Sequence, residues 1–249
     1  MAGLSAVALL PIGSASATVA YPVKSKTLTD NPLYAAGALT TTTCSEKPIK
    51  KLSASSAKSS LNGVLACLNR TWAAQLDSSG QRFSKPKIVY TTKTPKRFCG
   101  EAWPKGSTTI YCDSSRTIHM VLTRTLLKEP GDLYLLNLLA VYYGEHVQNL
   151  TGIYRAFQDV PYRNKSELTE QNRRYNLQGD CFAGAFIGSV WDSLDRPRVD
   201  WDDLLYYLRD WSDKYNGTRK SITYWAGRGF KSADPASCDT WSAASSKVA

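Results

Sequence analysis

The 249-residue chain is 43% hydrophobic and 11% aromatic with 21% charged residues. That is enough apolar material for one globular domain to bury a core without a structural metal, and too much for a disordered chain. The formal charge of +10 is uneven, with 17 Lys/Arg against 6 Asp/Glu in residues 1–130 and 14 against 15 in residues 131–249. A basic half suits an anionic surface such as a cell envelope, but a solvated basic face needs no partner, and no nucleic-acid partner is expected.

In chain order, residues 1–17 read as a signal peptide or N-terminal hydrophobic segment. LSAVALLPI is a short apolar core and Ala15-Ser16-Ala17 an A-x-A cleavage signal. The first charged side chain is Lys24, so the positive start of a signal peptide is missing. A secreted or cell-envelope protein is expected, with an N-terminal membrane anchor as the alternative; no other run is long enough to span a bilayer. Residues 18–56 are Thr/Ser/Lys-rich and aperiodic and read as an arm, with a turn signal at Asn31-Pro32. One domain is expected over 57–245.

Residues 57–77 place Leu61, Val64, Leu65, Leu68, Trp72 and Leu76 on one helical face. Short β-branched and aromatic runs at Lys87–Thr92, Thr108–Cys112 and Thr117–Leu122 predict strands. The basic residues Lys93, Lys96 and Arg97 follow the first of them, and His119 sits inside the third as a packed or edge histidine. Leu136, Leu139, Ala140, Tyr143, Val147 and Leu150 recur at helical spacing in a stretch that reaches Tyr154, with Pro130-Gly131-Asp132 as the break and cap before it. A long helix is expected over Glu167–Asp192, capped by Ser166, with Glu167 and Glu170 in its first turn. A further helix spans Asp200–Trp211, with Asp200, Asp202 and Asp203 at its start and Leu204, Leu205, Leu208 and Trp211 along it. A tail follows.

YGEHVQNLTGI, Tyr143–Ile153, is similar to the active-site helix of the bacterial neutral zinc metallopeptidases, a zincin-like family that reads HE-x-GHHVQ there. Its two His at i and i+4 reach one zinc, and the Glu after the first His is general base for the zinc-bound water. FCG at Phe98–Gly100, YCDSSRTIHM at Tyr111–Met120, YNLQGDCFAGAF at Tyr175–Phe186 and the segment Asn216–Trp241 resemble further family segments in the same order. The resemblance implies an α+β, zincin-like fold, mainly helical with a small sheet and stabilised by disulfides.

The same resemblance argues against activity. It sets Val141 where the family has its first His, Tyr142 at the Glu base, Glu145 at the second His and Asn176 at the third ligand, a Glu. Asp180 keeps the Asp that orients a ligand His, and Asn216 replaces another family His. His146 falls on a family His that is not a ligand. A catalytic zinc needs three protein ligands, and a phenol with an ordinary pKa of about 10 is no substitute for a carboxylate base. No metal, no cofactor and no catalytic residue are therefore expected, although the resembled family uses zinc.

Six Cys allow fifteen pairings, and the absence of CxxC argues against a zinc ribbon. An even count fits export. Chain order and the family likeness together imply Cys44–Cys67, Cys99–Cys112 and Cys181–Cys238. The expected function is that of a secreted pseudoenzyme acting by binding, its partner a peptide or protein ligand or an anionic envelope surface. One alternative is an active peptidase with a metal site rebuilt from Glu145, His146 and Asp180. Adjacent helical residues point about 100° apart, however, so Glu145 and His146 do not converge easily. Another alternative is a basic cell-wall or polymer-binding module.

Overall fold

The structure, a computed structural model, describes residues 23–128 and 133–249. The hydrophobic segment at 1–17 and the Pro130-Gly131-Asp132 break lie outside the described residues. The arm carries two short elements, α1 (Lys26–Thr29) and a 3-10 turn at Pro32–Ala35. The Asn31 side chain caps that turn by accepting from the Leu33 N–H, and its Nδ2 donates to the Thr151 carbonyl at 3.1 Å. Leu28, Leu33 and Leu39 are buried. The arm is thus fastened contact by contact rather than by a periodic face, which is why its packing leaves no pattern in the sequence.

The first long helix, α2, runs from Ala54 to Ser78, with the Ser53 hydroxyl accepting from the Ser56 N–H. It buries Leu61, Val64, Leu68, Trp72 and Leu76, and a disulfide joins Cys67 to Cys44 of the arm. The strands are β1 (Lys87–Thr91), β2 (Arg97–Phe98), β3 (Glu101–Ala102), β4 (Thr109–Cys112) and β5 (Thr117–Val121). The sheet order is β1-β5-β4, with β5 parallel to β1 and antiparallel to β4. Alternation along β5 sends Ile118 and Met120 into the main core and His119 to the opposite face. There His119 packs edge-on against Phe98 and Trp103, both at 5.1 Å, and bonds to Thr91 Oγ1. The β2–β3 hairpin, missing from the expected strands, supplies that cover and is tied down by Cys99–Cys112. All of β5 is therefore buried.

α3 spans Tyr134–Leu150 and α4 spans Ile153–Asp159. The stretch read as helix runs on to Tyr154, but the helix ends at Leu150, where the apolar spacing also ends. Gly152 sits at φ +77°, the left-handed turn that ends a helix and that glycine takes without strain. α5 is Lys165–Leu194, and its cap is Asn164 rather than Ser166. The Asn164 side chain accepts from the Glu167 N–H at 3.1 Å, which leaves Ser166 inside the first turn. α6 covers Arg198–Leu208 and tightens into a 3-10 turn at Arg209–Trp211; of its three early aspartates only Asp200 lies in the first turn.

The segment read as a tail contains α7, Arg219–Ser232. Gly227 and Gly229 lower its helix propensity, yet Gly229 is what lets it pack. A Cβ on Gly229 would lie 2.0 Å from the Cys181 carbonyl oxygen, and one on Gly184 only 2.2 Å from that of Ala226. α5 and α7 therefore touch backbone to backbone. Beyond α7, Cys238 bonds to Cys181, and the remaining residues lie along α5. The fold is α+β, mainly helical around a small sheet, with three disulfides. No helix among the described residues is long and apolar enough to cross a membrane.

Candidate functional site

α3 and α5 cross where Gly144 meets Gly179. A Cβ on Gly144 would lie 3.2 Å from the Gly179 carbonyl oxygen, so the helices approach closely and the residues next in sequence, Glu145 and Asp180, come to one place. A cleft of about 590 Å³ opens there. α3 contributes Tyr134, Leu138, Val141, Tyr142 and Glu145, and α5 contributes Tyr175, Asn176, Gly179 and Asp180. The segment from Asp210 to Asn216 and the loop Gly106–Thr108 complete the walls.

All six positions singled out by the family likeness, Val141, Tyr142, Glu145, Asn176, Asp180 and Asn216, line this one cleft. Their chemistry differs sharply from a zinc site. Val141 is apolar. Asn176 Nδ2 donates to Asn216 Oδ1 and to the Tyr215 carbonyl, both at 3.1 Å, so two carboxamides engage each other where the family has a ligand and a His.

Glu145 and Asp180 have no described hydrogen bond or ion pair. Asp180 is only 5% exposed, and burial pushes its carboxyl up to about 7. Burial, and then the charge of Asp180, push Glu145 up to about 8. Tyr142 and Tyr175 are raised well above the ordinary phenol range, chiefly by burial, so both remain neutral phenols.

Neither histidine reaches the cleft. His146 is fully buried. Its Nε2 meets the Ser84 carbonyl at 2.7 Å and must carry the proton, because a carbonyl can only accept; Nδ1 then accepts from the Tyr111 hydroxyl at 2.9 Å. Burial lowers its pKa to about 4, so the ring stays neutral with both nitrogens engaged. The rebuilt set of Glu145, His146 and Asp180 is thus not assembled. His119 is on the sheet, between two aromatic rings, and burial lowers its pKa too.

The residues of the cleft do not fit a catalytic zinc. They offer carboxylates and carboxamides but no imidazole or thiolate. Among the described residues only Cys99, Cys112 and Asp113 cluster as metal-ligating types, and both of those cysteines are consumed in a disulfide. The sequence reading did not assign Tyr134, Tyr175, Trp211, Asp210 or Asp213 to the site. Tyr175 lies within a family-like segment and could have been noticed; the others carry no local signal.

The chain matches, over residues 12–203, the family described as "Putative neutral zinc metallopeptidase". It is 28% identical over 199 residues to the uncharacterized protein YpfJ of Escherichia coli strain K12, covering 72% of this chain and 69% of that protein. The same figures hold for YpfJ of Escherichia coli O6:H1 strain CFT073. No solved structure matches the chain.

Proposed function

The chain belongs to the neutral zinc metallopeptidase family matched over residues 12–203, and from that membership we propose an exported pseudoenzyme that works by binding in the cleft its relatives' likeness marks. One observation carries this reading: the six family-equivalent positions share a single cleft and bring no imidazole to it. Val141, Glu145 and Asn176 are a poor donor set for an ion that needs three converging protein ligands. The Asn176–Asn216 bond further supports a site that holds its shape without metal. Three disulfides favour an oxidising compartment outside the cytoplasm.

Two proteins test the proposal together. The wild type is expected to purify without stoichiometric zinc and to show no chelator-sensitive cleavage of a peptide library. The combined change Val141→His, Tyr142→Glu, Glu145→His and Asn176→Glu restores two His ligands, a Glu ligand and a Glu base, and elemental analysis should then find bound zinc. Tight zinc in the wild type would defeat the pseudoenzyme reading. A folded quadruple variant without zinc would show that the two helices are wrongly matched to the family.

A further inference from the structure

The cleft has an electrostatic property that its relation to zinc enzymes does not require. Glu145, Asp180, Asp210 and Asp213 line it, and among the described residues no Lys, Arg or His does, in a chain whose formal charge is +10. Asp213 is committed locally, its Oδ1 accepting from the N–H groups of Tyr215 and Asn216 at 2.7 and 2.6 Å, and Asp210 is exposed. Glu145 and Asp180 are different. Asp180 is more than nine-tenths buried, lines the cleft, and accepts no described hydrogen bond. Glu145 is half-buried beside it, and burying a carboxylate without a partner is unfavourable, so both groups stand uncommitted toward whatever enters the cleft.

The surroundings specify what would complete it. Trp211 meets Tyr134 edge-on at 5.9 Å, and its Nε1 donates to the Tyr134 hydroxyl at 3.3 Å, which fixes an aromatic wall. Tyr142 adds a neutral ring beside the carboxylates. Carboxylates paired with aromatic faces suit an organic cation, which offers N–H donors to the first and a positive charge to the second. The volume of about 590 Å³ is in the usual range for a small-ligand or peptide-residue site.

We propose that this cleft receives a cationic side chain of a peptide, guanidinium or ammonium, held by Glu145 and Asp180 against Tyr134, Tyr142 and Trp211. The proposal rests on the pseudoenzyme reading, since a zinc ion there would occupy the same carboxylates. It converts a general binding role into a stated chemistry: a basic peptide, recognised by charge and stacking, with no bond made or broken.

Titration calorimetry on the full chain at low salt and pH 9, where both carboxyls are ionised, tests it, using acetyl-Gly-Arg-Gly-amide, its Lys counterpart and its citrulline counterpart. The Arg or Lys peptide should saturate the protein, and the citrulline peptide, equal in shape but uncharged, should bind at least tenfold more weakly. The combined change Glu145→Gln and Asp180→Asn should weaken the cationic peptide at least tenfold while melting at or above the wild-type temperature, which excludes unfolding as the cause. Equal binding of the citrulline peptide, undiminished binding by the variant, or no saturation by either cationic peptide at millimolar concentration would each overturn the inference. Binding of Gly-Gly-Gly-amide through its free terminus alone would overturn the side-chain assignment. Displacement of the Arg peptide by calcium chloride would overturn it in favour of a metal site. Failure of the peptides in zinc-free protein sinks this inference alone, whereas stoichiometric zinc sinks the reading beneath it.

Discussion

Two polar regions flank the α3–α5 crossing, and they are built in opposite ways. In the first, Arg174 is 1% exposed and donates to Glu170 and to the carbonyls of Thr240, Trp241 and Ala243. Nearby, Gln178 Nε2 donates to the Tyr34 hydroxyl and the Cys238 carbonyl, while its Oε1 accepts from Gln148 Nε2 and Trp241 Nε1. One acceptor, Gln148 Oε1, is left over. In the second region Glu145 and Asp180 are held in the cleft with no described partner at all. Only one or a few positions in sequence separate these groups, all on the same two helices, so helix content does not distinguish them. What does is who faces them. The bonded groups meet the arm and the C-terminal segment, and they fasten both. The carboxylates meet a cleft, and they cost stability instead.

Removing a partner from the bonded region should have the largest effect. Arg174→Met takes the donor from three backbone carbonyls and leaves Glu170 only the Ser245 hydroxyl, and breaking a buried pair in this way costs about 3–5 kcal/mol. At roughly 2–4 °C per kcal/mol for a chain of this size, the melting temperature should fall by about 6–20 °C. A loss below about 1 kcal/mol in a urea titration would mean that the network fastens nothing.

The disulfide beside that network comes next. Replacing Cys181 and Cys238 together by Ala opens a link of sequence separation 57, with an expected cost of about 2–4 kcal/mol. The measurement is the midpoint of guanidinium unfolding, and an unchanged midpoint would show that the polar bonds alone hold the C-terminal segment.

Neutralising the cleft should do the reverse. Both carboxyls titrate higher in the folded protein than in the unfolded chain, Asp180 near 7 and Glu145 near 8. Between the unfolded value of about 4 and those values the folded state binds more protons. The wild type therefore loses stability as pH rises from about 4 to about 8. Glu145→Gln with Asp180→Asn removes that loss. The variant should match the wild type at pH 4 and exceed it at pH 9 by about 1–3 kcal/mol. A variant less stable at pH 9 would mean that the carboxylates have favourable partners after all, and the contrast between the two regions would fail.

The smallest effect is expected at Tyr142, whose phenol has no described hydrogen bond. Tyr142→Phe should change stability by no more than about 0.5 kcal/mol in the same urea titration. A drop beyond about 1 kcal/mol would reveal a polar role for the hydroxyl inside the cleft.

How far the residues foretell this depends on the kind of information. Helix α2 is written in its own spacing, since Leu61, Val64, Leu68, Trp72 and Leu76 repeat at the helical period and are buried together. Carrying the α3 reading on to Tyr154 failed at Gly152, because apolar periodicity does not register a left-handed residue. Periodicity was silent on α7, where Gly229 counts against a helix locally and serves it through contact with Cys181. For the cleft, only likeness to a family pointed to Asn176, Asp180 and Asn216; Asp180 taken alone reads as an ordinary exposed helix carboxylate.

Apolar periodicity and cysteine parity are properties of the residue order, so that order was enough for α2, for most of α3, α5 and α6, and for the strands of the three-stranded sheet, while the metal-ligand positions Val141, Glu145 and Asn176 came from the family likeness alone. The state of Glu145 and Asp180 is another matter. Whether a buried carboxylate finds a cation, a donor or nothing depends on which distant segments the fold carries to it, here Gly106–Thr108 and Asp210–Asn216. None of the lining residues in either segment carries a positive charge, and the low dielectric of the closed crossing amplifies that lack. Charge compensation acts through space, and so it was settled by the packing of α3 against α5.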